Sequence, residues 1–100
     1  MNQKDGTVDG QGWLAKNRQT RSGPMPTKHG DVVLRHVNQR FDVWMVATDG
    51  AQQPDPDTLQ EAWSRRDAEE IVREATDGTD ATVYLVQGNG EWAVVSKPDA

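Results

Sequence analysis

The stretch from Ser64 to Gly78, SRRDAEEIVREATDG, reads as a single amphipathic helix, and the fold follows from what lies on either side of it. Ser64 stands three residues before Asp67, a capping box with Asp in place of the usual Glu or Gln. Ala68, Ile71, Val72 and Ala75 recur at i, i+3, i+4 and i+7, the spacing of one buried face. Arg65, Arg66, Glu69, Glu70, Arg73 and Glu74 cover the remainder. Thr76, Asp77 and Gly78 supply the stop, with Gly78 suited to a left-handed cap. Trp63 before the cap and Ala68 at the fourth helical position suggest a hydrophobic staple. Thr58 and Glu61 offer an earlier start. However, Leu59 and Trp63 do not share a face with Ala68 and Val72, so a short turn and a break near Ser64 are expected.

Upstream, Asp31 to Val37 (DVVLRHV) and Phe41 to Ala47 (FDVWMVA) read as strands joined by a short turn at Asn38-Gln39-Arg40, hence an antiparallel hairpin. Asp49-Gly50 ends the second strand, and Pro54 and Pro56 keep the following stretch irregular. Downstream, Ala81 to Gln87 (ATVYLVQ) and Glu91 to Ser96 (EWAVVS) flank Gly88-Asn89-Gly90. Asn-Gly between apolar runs is a strong hairpin signal. The expected fold is α+β: a four-stranded antiparallel sheet in β-β-α-β-β order, with the helix packed on one face. One domain over residues 31–97 is expected.

Residues 1–30 differ in composition. They are polar, carry Gly6, Gly10, Gly12, Gly23, Gly30, Pro24 and Pro26, and hold one local apolar pair, Trp13-Leu14. Such a segment has little apolar surface to set against its ordering entropy, so a disordered, flexible tail is expected. Its net charge is +3, against −8 for residues 31–100, within a total of −5. A basic tail on an acidic domain marks either an interaction arm or a solubilising segment.

Only 34% of the residues are hydrophobic and the mean hydropathy is −0.85, but the apolar residues cluster between Val32 and Val95. The absence of cysteine excludes disulfides, thiolate zinc sites and thiol catalysis. No signal-peptide pattern is seen, and no run approaches the roughly 20 apolar residues of a membrane helix, so a cytoplasmic protein without a membrane partner is expected.

The strands alternate poorly. Val43-Trp44-Met45-Val46, Val83-Tyr84-Leu85-Val86 and Trp92-Ala93-Val94-Val95 are apolar toward both faces, whereas one helix covers only one. The second face needs a cover: a second copy of the chain, the tail folding back through Trp13-Leu14, or another protein. Trp44, Tyr84, Trp92 and Trp13 are therefore the candidate partner-binding residues.

Several of these stretches resemble the DUF2188-type small bacterial proteins. Val43-Trp44-Met45-Val46 matches that family's first aromatic strand, Ser64-Arg65-Arg66-Asp67-Ala68 its helix start, and Thr82 to Val86 with Gly88-Asn89-Gly90 its last hairpin. The similarity spans about residues 31–96. The chain departs from the pattern at Asp42-Val43, where Gly precedes the tryptophan in the family, and in a longer loop before the helix. The resemblance implies a compact β-β-α-β-β unit and no particular activity.

Chemistry-bearing residues are sparse. His29 and His36 are the only histidines and have no ligand spacing with carboxylates. Ser64 is accounted for by capping, and no Gly-x-Ser-x-Gly occurs. Asp55, Asp57 and Glu61 form an acidic loop without EF-hand spacing. Gly88-Asn89-Gly90 leads into a strand and so makes no phosphate cradle. No catalytic residue, metal site, cofactor or small-molecule substrate is implied. The expectation is a non-enzymatic protein-interaction module that pairs with itself, as a homodimer, or with another protein through its sheet face. Two rivals remain. One is an acidic inhibitor that imitates nucleic acid and occupies a basic groove. The other is a nucleic-acid accessory that uses Lys16, Arg18, Arg21 and Lys28 of the tail for salt-sensitive contacts.

Overall fold

The computed structural model describes residues 20–95. Five strands and one helix run in the order β1 (Val32–Val37), β2 (Arg40–Met45), β3 (Gln60–Ala62), α1 (Arg65–Thr76), β4 (Val83–Val86) and β5 (Trp92–Val95). They form one mixed sheet with strand order β3-β2-β1-β4-β5. The α+β class holds, but the sheet is neither four-stranded nor wholly antiparallel.

Two features make the difference. The first is β3, which pairs antiparallel with β2 through Phe41–Ala62, Asp42–Glu61 and Val43–Gln60. Three residues are too few for alternation to announce a strand, and tertiary pairing forms it. The second is the central pair, where β1 and β4 run parallel with Val32 opposite Val83 and Leu34 opposite Leu85. Parallel neighbours need a long crossover, and the segment through β3 and α1 provides it. The two hairpins thus meet back to front at the centre of the sheet.

Both hairpins are antiparallel, with Val37 opposite Arg40 in the first and Val86 opposite Trp92 in the second. Asn38, at φ 53°, takes the left-handed conformation that the tight first turn requires, a conformation Asn tolerates better than most residues. The helix begins as expected. The Ser64 hydroxyl oxygen accepts the Asp67 N–H at 3.1 Å, and Gly78 past the end lies at φ +73°. Trp63 does not act as a staple, because 68% of its surface is open to solvent.

Each sheet face has its own core. On the helix side, Ala68 and Val72 pack with Val32, Leu34, Val43, Val83 and Val95. On the other side, Val33, Trp44, Tyr84 and Trp92 pack with Met25 and Val46. The cover of that second face comes from the chain itself. Residues 20–30, expected within a disordered tail, lie across the sheet as a strap. Arg21 exchanges both backbone hydrogen bonds with Trp92 (2.8 and 3.0 Å). The Gln52 side chain clasps Met25, accepting from its N–H at 2.9 Å and donating to its carbonyl at 2.7 Å. The Thr27 hydroxyl donates to the Ala51 carbonyl at 2.7 Å, and the Gly50 N–H donates to the Thr27 carbonyl at 2.7 Å. Composition argued against order here because it counted side-chain burial alone. The strap buries Met25 and Thr27, and it satisfies backbone groups on partners far away in sequence. Trp13, Leu14, Lys16 and Arg18 lie outside the described residues.

Candidate functional site

Three of the four sequence-derived partner residues, Trp44, Tyr84 and Trp92, gather in one place beneath the strap, while Trp13 lies outside the described residues. Trp44, Tyr84 and Trp92 keep 2%, 4% and 4% of their surfaces exposed. Tyr84 and Trp92 meet edge to face with centroids 5.7 Å apart. Their polar ends bond the strap: the Tyr84 hydroxyl donates to the Pro26 carbonyl at 3.0 Å, and the Trp92 indole N–H to the Gly23 carbonyl at 2.8 Å. Burial and the nearby negative charge of Asp31 raise the Tyr84 pKa above its ordinary value. Asp31, itself buried, accepts the Lys28 N–H at 2.9 Å and the Thr82 N–H at 3.0 Å, tying the end of the strap to the start of β4.

Where the strap leaves this face uncovered, the sheet carries a polar network. The buried Asp42 carboxylate accepts from Arg35 at 3.2 Å and from Arg40 at 3.1 Å, with Glu61 3.7 Å from Arg40. Burial pushes the Asp42 carboxyl up, but the hydrogen bonds from Arg40 and Arg35 and their positive charges outweigh it, and its pKa lies below the usual carboxylate range. The Arg35 guanidinium lies 5.2 Å over the Trp44 ring, and Arg21 lies 5.6 Å over Trp92. Arg35 Nε and Trp44 Nε1 are buried donors without a hydrogen-bond acceptor among the described residues. The stacked cation compensates part of that cost.

The remaining sequence candidates are dispersed. His36 stacks on Phe41 with centroids 4.5 Å apart, while the exposed His29 donates its backbone N–H to Asp49. The Asp55 carboxylate accepts the Asp57 N–H at 3.2 Å and the Thr58 hydroxyl at 3.4 Å, so it shapes its own turn. Among the described residues no group of three or more His, Cys, Asp or Glu is placed to hold a metal ion. No helix among them is long and apolar enough to cross a membrane. Arg21 and Lys28 are exposed, but Arg21 lies over Trp92 and Lys28 sits at the far end of the strap. The exposed carboxylates of α1, Asp67, Glu70 and Glu74, alternate with Arg65, Arg66 and Arg73, so they form no uninterrupted acidic row.

A different surface is left open. Leu59 and Trp63 flank the edge strand β3, 39% and 68% exposed. β3 ends the sheet order, so no strand among the described residues lies beyond it. Beside it, between α1 and residues 57–60, a groove of about 450 Å³ is walled by Val43, Met45, Leu59, Ile71 and Ala75, with Asp57 and Glu74 also lining it. Two strand features build it. The Thr58 hydroxyl oxygen accepts the Met45 N–H at 3.0 Å, which holds the loop against the end of β2. Gln60 then pairs with Val43, so Leu59 arrives at the mouth. Sequence reasoning had Leu59 and Trp63 only as helix-start residues. Their failure to share the helical stripe was the available signal that they served another surface.

No family model, curated protein or solved structure matches the chain.

Proposed function

We propose that this protein is a small, non-enzymatic protein-interaction module. One observation carries the reading: Trp63, 68% exposed, stands beside an edge strand that has no strand neighbour on its outer side among the described residues, with Leu59 at that strand's other end. A large aromatic held on rigid structure and left in water is the residue type that anchors protein interfaces. A free edge offers backbone groups to an extended partner segment. The buried Trp44, Tyr84 and Trp92 support this surface from below, because their packing under the strap fixes the sheet. On this reading the protein works in the cytoplasm, without a cofactor or a membrane, and its partner is a protein. The resemblance to DUF2188-type proteins is part of the proposal at the level of fold and adds no activity.

The test is retention of a partner from a lysate of the native host by the intact protein, compared with Trp63→Ser and Leu59→Ser. A discrete protein retained by the wild type and lost in both variants is expected. Identical retention by all three chains would sink the reading. Retention that collapses at about 0.5 M salt, where exposed charges are screened within roughly 4–5 Å, would favour the acidic-mimic rival instead.

A further inference from the structure

We infer that the groove between α1 and residues 57–60 receives an extended segment of a partner protein that presents an apolar side chain and, two residues along, a Lys or Arg. The inference rests on the interaction-module reading and specifies the partner's chemistry.

The volume, about 450 Å³, falls within the range of roughly 300–1,000 Å³ typical of ligand-sized clefts. Its deep walls are aliphatic, from Val43, Met45, Ile71 and Ala75. It is lined by two carboxylates on opposite sides, Asp57 from the loop and Glu74 from the helix, and by no cationic side chain. Neither carboxylate has an ion-pair partner among the described residues. An occupant bearing a positive charge therefore gains what the described residues do not supply. The acidic balance of residues 31–100, net −8, attracts the same partner at longer range.

Position selects an extended segment. Gln60 belongs both to the edge strand and to the groove lining. A chain adding to β3 consequently runs past the groove mouth. In such a chain, residues i and i+2 point to one side. An apolar residue at i then enters the groove while a cation at i+2 meets its acidic rim.

The test is a titration of the full chain, observed through backbone amide NMR shifts, with two peptides. One is acetyl-Thr-Leu-Thr-Lys-Thr-amide and the other replaces its Lys with Glu. Saturable shifts at Met45, Leu59, Ile71 and Ala75 are expected, with the Lys peptide binding about five- to tenfold tighter, the scale of an exposed charge contact made against one reversed. Glu74→Lys should invert that preference. The substitution is benign for the helix, because the new cation lies four residues from Glu70 and three from Asp77. No saturable shift at these residues, or equal binding of both peptides, overturns the inference. So do the same shifts on simple concentration without peptide, which would give the groove to a second copy. Trp63→Ser separates the two readings. If it abolishes partner retention while the groove binds neither peptide, the module reading stands and the groove assignment falls. If the groove behaves as stated but Trp63→Ser retains every partner, the surface around Trp63 is the part that fails.

Discussion

The indole N–H of Trp92 donates to the carbonyl of Gly23 across 2.8 Å, joining residues 69 positions apart in the chain. With the Tyr84–Pro26 bond and the burial of Met25, it makes residues 20–30 the roof of the second sheet face. Among the described residues, one helix and the strap thus cover the two apolar faces.

The roof should be a measurable part of stability. Trp92→Phe deletes the donor and leaves a small cavity where the larger ring packed, so a loss of about 1–3 kcal/mol in chemical denaturation is expected. A chain beginning at Gly30 loses the Trp92 and Tyr84 bonds, the Gln52 clasp, the Thr27 bond and the Met25 contact. The net loss is about 3–5 kcal/mol, together with binding of a hydrophobic dye to the exposed aromatics. Wild-type stability in the shortened chain would show that the strap is ornamental.

Tyr84 is the only tyrosine, so its phenolate absorbance reports one site. Its pKa is raised, first by burial and second by the charge of Asp31. The folded state therefore holds this proton more tightly than the unfolded chain, whose tyrosine titrates near 10. The associated stability is fully present below about pH 10 and is lost as pH rises through the folded value. Alkaline titration should show the phenolate appearing above its ordinary range, together with loss of folded signal. Titration at the model-compound value in a chain still folded would contradict the buried placement.

Trp63 makes the opposite prediction. With 68% of its surface in water, Trp63→Ser should change stability by no more than about 0.5 kcal/mol, since exposed substitutions away from packed features rarely do more. The variant should melt with the wild type while losing its partner. A large drop in melting temperature would mean that this indole is packed, and would remove it as an interface anchor.

The parts of the fold carried by local chemistry were legible. The Ser64 cap, the stripe of Ala68 and Val72, and the Gly78 stop act within a few residues, and each is where the pattern put it. The two-faced hydrophobicity of Val33, Trp44 and Tyr84 also announced correctly that a second cover was required. What covers that face was not legible. The strap holds through Gln52, Trp92 and Tyr84, and no period or propensity in residues 20–30 encodes partners so distant. The β3 edge was hidden for the same reason: Gln60–Ala62 is extended because Val43 and Phe41 lie opposite, and its own three residues do not demand it. The parallel β1–β4 pairing is a choice between ways of joining two hairpins, and both hairpins look the same from within.

Asp42 links stability to acid. Its buried carboxylate carries a lowered pKa; burial raises it, but the hydrogen bonds from Arg40 and Arg35, with their charges, more than reverse that. A depressed folded pKa contributes stability above the unfolded value, near 3.9, and the contribution fades as pH falls through the folded pKa. Removing one partner of a fully buried pair costs about 3–5 kcal/mol. Here the two guanidiniums are about one-third exposed, which screens the interaction, so Asp42→Asn should cost about 1–2 kcal/mol at neutral pH. The penalty should begin to shrink below about pH 4, where the unfolded chain's carboxyl takes up its proton, and keep shrinking as pH falls through the lower folded value. Denaturant midpoints for both chains between neutral pH and about pH 3 measure it directly. A penalty independent of pH would show that Asp42 acts through its shape and hydrogen bonds rather than its charge, and would leave Arg35 and Arg40 without the counter-ion that holds them on the sheet.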